Sequence, residues 1–210
     1  MTARPSKIVC IGRNYRAHAA EMGNDVPTEP LIFLKPPSSL IADGEPIRLP
    51  ALSEQVEYEG EIAVVMGARA SHVTERDAER LVRGFAAFND VTARDLQRRD
   101  SQWTRAKGFD TFAPVGAEFA RSTDWGALTV ITRVNGVERQ RAQADLMVFA
   151  IPKLIAFISS IMTLEPGDLI ATGTPAGVGR LTAGDTVEVE IQGRDTRTLS
   201  RVGNPVVAGE

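Results

Sequence analysis

The chain has 210 residues, 43% of them hydrophobic and 24% charged, a balance that suits a globular protein with a sizeable core rather than a disordered or membrane chain. Its 24 basic and 27 acidic residues leave a formal charge of -3, which argues against non-specific attraction to nucleic acid. No apolar run is long enough for a membrane span, and the stretch after Arg4 and Lys7 is too short for a signal-peptide core, so a cytoplasmic location is the default expectation.

In chain order, the first β-like run is Lys7 to Ile11, which carries the single cysteine, Cys10, as a buried small hydrophobe. Gly12 to Gly23 follows and contains His18 and Glu21. Three residues apart, these two share a face of a helical turn, so Glu21 can orient the imidazole for proton removal near neutral pH. The alternative for an isolated pair of this kind is an ordinary surface contact. Leu31 to Leu34 is a second short strand.

Glu57, Glu59 and Glu61 alternate as they lead into the apolar run Ile62 to Met66, which places them on one side of a strand. Like charges entering a core repel unless a cation sits among them, and a hard ion such as Mg2+ or Mn2+ is the simplest partner. The alternative is a solvated strand end. Thr74 with Asp77 resembles a capping box, and Ala78, Leu81, Val82 and Phe85 then follow at helical spacing, predicting a helix through Phe85. A short strand from Ala86 to Asn89 delivers Asp90 as a third carboxylate. Arg94, Arg98, Arg99 and Arg105, interleaved with Asp95 and Asp100, read as a solvated basic surface. Lys107 is either a loop lysine or a cation facing a developing negative charge. The second histidine, His72, has no such context and is expected at the surface.

Asn135-Gly136 between two alternating runs predicts a type I′ hairpin. Ile151 to Met162 carries the apolar stripe of a helix. After a strand at Asp168 to Ala171, the Gly-rich run Thr172 to Gly179 can offer backbone N–H groups to an anion, yet lacks the ending of a nucleotide P-loop. Thr186 to Ile191 alternates, and Arg194 to Arg201 is expected to return as its partner strand. The whole is expected to be one β-rich α+β domain, residues 1–210.

Taken together these segments resemble the fumarylacetoacetate hydrolase family, in its single-domain acylpyruvate and fumarylpyruvate hydrolase branch. The likeness rests on Gly12-Arg13-Asn14-Tyr15 with His18 and Glu21, on Glu29 to Pro36, on Tyr58 to Gly67, on Asp90 to Asp95, on Lys107 and on the Thr172 to Gly179 loop. It implies a mixed β-roll with a few short helices, a homodimer, and a small-molecule diketo acid as partner. It further implies Glu59, Glu61 and Asp90 as ligands of Mg2+ or Mn2+, His18 and Glu21 as a water-activating dyad, and Lys107 as the oxyanion's cation. Arg13, Gln97 and Thr174 fall at positions similar to substrate contacts, Glu57 takes a supporting role, and residues 12–24 form a mobile lid. The implied reaction is hydrolysis of a carbon–carbon bond in an acylpyruvate, giving a carboxylic acid and pyruvate. Oxaloacetate decarboxylation, tautomerisation, isomerisation of the 2-hydroxyhepta-2,4-diene-1,7-dioate kind, and non-catalytic binding are the alternatives.

Overall fold

A computed structural model describes residues 4–121 and 124–209. Its centre is a six-stranded mixed sheet in the order Phe119–Ala120, Val82–Asn89, Gly60–Met66, Leu169–Ala171, Ile8–Gly12, Leu31–Lys35. All neighbours are antiparallel except Ile8–Gly12 and Leu169–Ala171, which run parallel.

The residues of Gly60–Met66 sort by parity. Ile62, Val64 and Met66 pack into the larger core with Phe85, Ala87, Val9 and Ile11, while Ala63 and Val65 join Cys10, Ala86 and Phe88 on the other face. Both faces are therefore covered, which is why this strand is apolar without interruption beyond Glu61. Cys10 is fully buried, as expected.

A second, five-stranded sheet runs Val137–Gln143, Thr129–Val134, Thr186–Gln192, Thr198–Ala208, Ile47–Leu49. Its Val130, Val189, Ile191 and Val202 share the larger core with the helix Ile151–Ile161 through Leu154, Ile155 and Ile158. Asn135 and Gly136 both take positive φ, 52° and 76°, the geometry of the expected type I′ turn. The return strand starts at Thr198 and runs to Ala208, later and longer than the expected Arg194 to Arg201. Smaller sheets pair Gly179–Arg180, Val56–Tyr58 and Thr92–Ala93, and Leu40–Ile41 with Ala113–Pro114.

The helix expected from Thr74 to Phe85 is corrected. Only Glu75–Ala78 is α-helical, a 3-10 turn covers Glu79–Leu81, and Val82–Asn89 is one long strand. Thr74 Oγ1 donates to the Asp77 carboxylate at 2.9 Å and caps no backbone N–H, so the start signal is weaker than its spacing suggests. Pairing of Val82–Asn89 along the whole of Gly60–Met66 outweighs two turns of helical periodicity.

No helix among the described residues is long and apolar enough to cross a membrane.

Candidate metal centre

Glu59 sits in the break between the strands Val56–Tyr58 and Gly60–Met66, and Glu61 is the second residue of the latter. The antiparallel register sets Gly60 against Asn89 and Glu61 against Phe88, so Asp90, one step past its strand, arrives beside Glu59. Asp90 N–H donates to the Glu59 carbonyl at 2.8 Å, and Glu59 N–H donates to Asn89 Oδ1 at 3.0 Å. One carboxylate oxygen from each of Glu59, Glu61 and Asp90 lies within 4.8 Å of the others. All three side chains are buried, at 5%, 1% and 1% exposure. Gly60 between the two glutamates is required by packing, since a Cβ there would run into Thr132 Oγ1 of the second sheet.

Each acid has one oxygen tied back. Lys35 Nζ holds Asp90 Oδ1 at 2.6 Å, Arg94 Nη2 holds Glu59 Oε1 at 2.5 Å, and Gly173 N–H holds Glu61 Oε2 at 2.8 Å. Lys107 Nζ then donates to the opposite oxygens, Glu59 Oε2 at 2.8 Å and Asp90 Oδ2 at 2.7 Å. Arg94 also binds Glu57 Oε2 through Nε at 2.8 Å. Four carboxylates thus meet three cations, all of them buried.

The electrostatics follow from that imbalance. Burial works to raise the Glu59 carboxyl, but Lys107 and Arg94 overcome it and hold the group below its ordinary range. Burial, Asp90 and Glu59 push Glu61 well above its ordinary value, with Lys107 only partly opposing. Burial would lower Lys107, yet Asp90 and Glu59 raise it. Lys35 moves the other way, because burial prevails over the pull of Asp90. A hard divalent cation fits this donor set: three oxygen ligands, each pre-oriented, with Glu61 still short of positive charge.

His18 lies on the short helix Arg16–Glu21, 6% exposed, with Nδ1 3.4 Å from Glu21 Oε2. Glu21 in turn accepts the Gly177 N–H on both oxygens, at 3.0 and 3.1 Å. Arg13, His18, Glu59, Glu61, Arg94, Gln97, Lys107 and Thr174 line one cavity, together with Phe33 and Trp103. The fold therefore brings most of the sequence-derived candidates to one cavity, while Glu21 and Asp90 stand behind its wall, in contact with His18 and with the other two acids respectively. Thr174 Oγ1 donates to the Gly60 carbonyl at 2.9 Å and accepts from Gln140 Nε2 at 2.8 Å, while Gln97 Oε1 accepts from Arg94 Nη1 at 2.6 Å. Glu57 stands outside the three-acid group, held by Arg94 and by Gln55 Nε2 at 2.6 Å. His72 is exposed.

Arg94 is a correction to the basic-surface reading. It is 2% exposed and bridges two acids, whereas Arg98, Arg99 and Arg105 are exposed as expected. The spacing of Arg94 four residues beyond Asp90, at the start of the helix Arg94–Arg99, turns it back toward the acids. Lys35, the last residue of the strand Leu31–Lys35, is a second buried cation that the sequence reading does not single out. The Gly-rich loop uses the N–H groups of Gly173 and Gly177 to hold Glu61 and Glu21.

A model of the "Fumarylacetoacetate (FAA) hydrolase C-terminal" family matches residues 7–207. The chain belongs to the fumarylacetoacetate hydrolase family. Among its relatives is a mitochondrial oxaloacetate tautomerase of Arabidopsis thaliana, 43% identical over 199 residues, spanning 92% of this chain and 89% of that protein. Two solved structures of similar fold illustrate the family's range. A 2-hydroxyhepta-2,4-diene-1,7-dioate isomerase from Mycobacterium marinum has a TM-score of 0.88 and 43% identity, over 98% of this chain and 75% of that one. A fumarylpyruvate hydrolase from Pseudomonas aeruginosa, solved with Mn2+ and pyruvate, has a TM-score of 0.89 and 32% identity, over 97% and 90%. The β-rich α+β architecture is that of the fumarylacetoacetate hydrolase domain. Members of this family are enzymes that act on diketo acids and use divalent metals.

Proposed function

We propose that this chain is a divalent-metal-dependent enzyme that forms and stabilises the enolate of a small 2-oxo dicarboxylic acid, with keto–enol tautomerisation of oxaloacetate as its reaction. The observation that carries the substrate class is Arg13. It lines the cavity and, among the described residues, has no hydrogen-bond or ion-pair partner, whereas Arg94 and Lys107 are committed to carboxylates. A substrate lying over the three acids would offer its second carboxylate to that guanidinium. The relative from Arabidopsis thaliana named an oxaloacetate tautomerase supports the same choice.

Mg2+ or Mn2+ held by Glu59, Glu61 and Asp90 would supply a Lewis acid for the 2-oxo group and positive charge for the enolate. His18, oriented by Glu21, exchanges the proton on the carbon between the two carbonyls. Lys107 offsets negative charge gathering on oxygen. Gln97 and Thr174 complete the wall against which the substrate is oriented. Residues 12–24 act as a lid: Glu21 clasps Gly177, and closure keeps bulk water from the enolate.

Hydrolysis of an acylpyruvate or fumarylpyruvate is the second reading. The complete His18–Glu21 pair favours it, since the same imidazole can deprotonate a water aimed at the distal carbonyl, and so does the likeness to the fumarylpyruvate hydrolase.

Product analysis with oxaloacetate, acetylpyruvate and fumarylpyruvate, in the presence of Mn2+, tests the assignment. Enol oxaloacetate should be converted to the keto form without stoichiometric pyruvate release. His18→Ala should lower kcat by about 100-fold or more while Mn2+ binding persists. Cleavage of fumarylpyruvate with oxaloacetate left untouched would transfer the assignment to hydrolysis. Turnover of none of them would remove the enzymatic reading.

A further inference from the structure

Lys35 closes the edge strand Leu31–Lys35, whose other residues are all at least partly exposed, yet its own side chain is inaccessible to solvent. It is not among the residues that line the cavity, and its side chain has no solvent-accessible surface. A lysine buried to this degree is costly unless its charge is answered. Here Nζ donates to Asp90 Oδ1 at 2.6 Å and to the Val91 carbonyl at 3.0 Å, with the Phe112 ring centre 5.9 Å away. The two contacts grip both the carboxylate and the backbone just after it. Asp90 Oδ2, the oxygen Lys35 leaves alone, is the one that Lys107 contacts on the side of Glu59.

We propose that Lys35 is a positioning residue of the metal centre: by holding Asp90 Oδ1 and the Val91 carbonyl, it fixes the rotation of the Asp90 carboxylate so that Oδ2 is presented to the cation. This rests on the reading that Glu59, Glu61 and Asp90 bind a divalent ion. The orienting role and the charge of Lys35 act on metal affinity with opposite signs. A positive charge beside a ligand repels a dication, so its removal by Coulomb's law alone tightens binding. Loss of a group that orients a ligand weakens binding by roughly 10- to 100-fold. The direction of the change therefore separates the two.

The test is Mn2+ titration by calorimetry, with no substrate present, on the parent protein, Lys35→Met and Lys35→Gln. Methionine keeps the unbranched shape and removes both charge and donor. Glutamine removes the charge but keeps an N–H donor, one bond shorter. Lys35→Met should raise the Kd for Mn2+ by about 10- to 100-fold, and Lys35→Gln by less. Circular dichroism and melting in chelator establish that each variant is folded, and if Lys35→Met is not, Lys35→Gln against the parent decides. A parent that binds Mn2+ together with a folded variant that binds it equally or more tightly overturns the role given to Lys35 and leaves the metal centre standing. A parent that fails to bind Mn2+ overturns the metal centre and the role of Lys35 with it.

Discussion

Asp168 shows how much a single buried carboxylate can organise. Its two oxygens accept from Ser6 N–H at 2.9 Å, Ser6 Oγ at 2.7 Å, Lys7 N–H at 3.1 Å, Lys7 Nζ at 2.5 Å and Glu165 N–H at 2.8 Å. Burial opposes the charge, but Glu165, Lys7 and Ser6 together hold the group below its ordinary value. A depressed folded pKa means that stabilisation is complete above the unfolded pKa, near 3.9, and is lost as pH falls through the folded value. Asp168→Asn should therefore cost about 2 kcal/mol at neutral pH. In urea titrations that difference should shrink toward zero as the pH is taken below about 4; a difference independent of pH would mean that the charge contributes nothing.

The same scale shows what a residue alone discloses. Glu59, Glu61 and Asp90 were legible because acids next to an apolar strand demand an explanation. Arg94 and Lys35 were not, since nothing local distinguishes an arginine turned inward from its exposed neighbours Arg98 and Arg99. Their burial is decided by which acids the folded chain sets opposite them.

Among elements, the short strands and the helix Ile151–Ile161 were legible from alternation and from the apolar stripe. The region after Thr74 was not, because Val82 and Phe85, three residues apart, fit helical spacing and reach the same core from a strand only through the bulge between Val82 and Gly84. What settles it is a partner: Gly60–Met66 pairs from Gly60 opposite Asn89 to Met66 opposite Val82. The proposed lid has its own partner in the Gly-rich loop. Gly177 donates to Glu21, its carbonyl accepts Tyr58 Oη at 2.8 Å, and its φ of 101° is open to glycine. Tyr58→Phe removes the tie that holds Gly177 in place, at about 1 kcal/mol. Hydrogen exchange should then quicken at amides of residues 15–23 and stay unchanged in Gly60–Met66. Equal protection of the lid in both proteins would show that Tyr58 does not secure it.

For the whole molecule, the proposed ligands are drawn from two strand ends and the cations from three other segments, so the three-acid cluster exists only when the mixed sheet is assembled. A cation that binds the folded form alone must raise its stability. At 100 times its Kd, Mn2+ should add about 2.7 kcal/mol. For a domain of this size that corresponds to a rise of roughly 5–10 °C in Tm. Differential scanning calorimetry with Mn2+ against chelator measures it, and Glu61→Gln should abolish the shift. An unchanged Tm in the parent would place the three acids in a purely structural role. The mixed β-roll was reached through the family resemblance and not through periodicity, since the parallel pairing of Ile8–Gly12 with Leu169–Ala171 joins segments from opposite ends of the chain.

The five-stranded sheet supplies no ligand, yet it presses on the centre from behind. Thr132 leaves no room for a side chain at Gly60, and Gln140 reaches from the same sheet to the Gly60 N–H at 3.0 Å and to Thr174. The spread between the two glutamates is thus calibrated by an anvil that takes no part in the chemistry. A substitution at Thr132 or Gln140 would therefore reach the spacing of the two glutamates while every acidic and basic group keeps its identity.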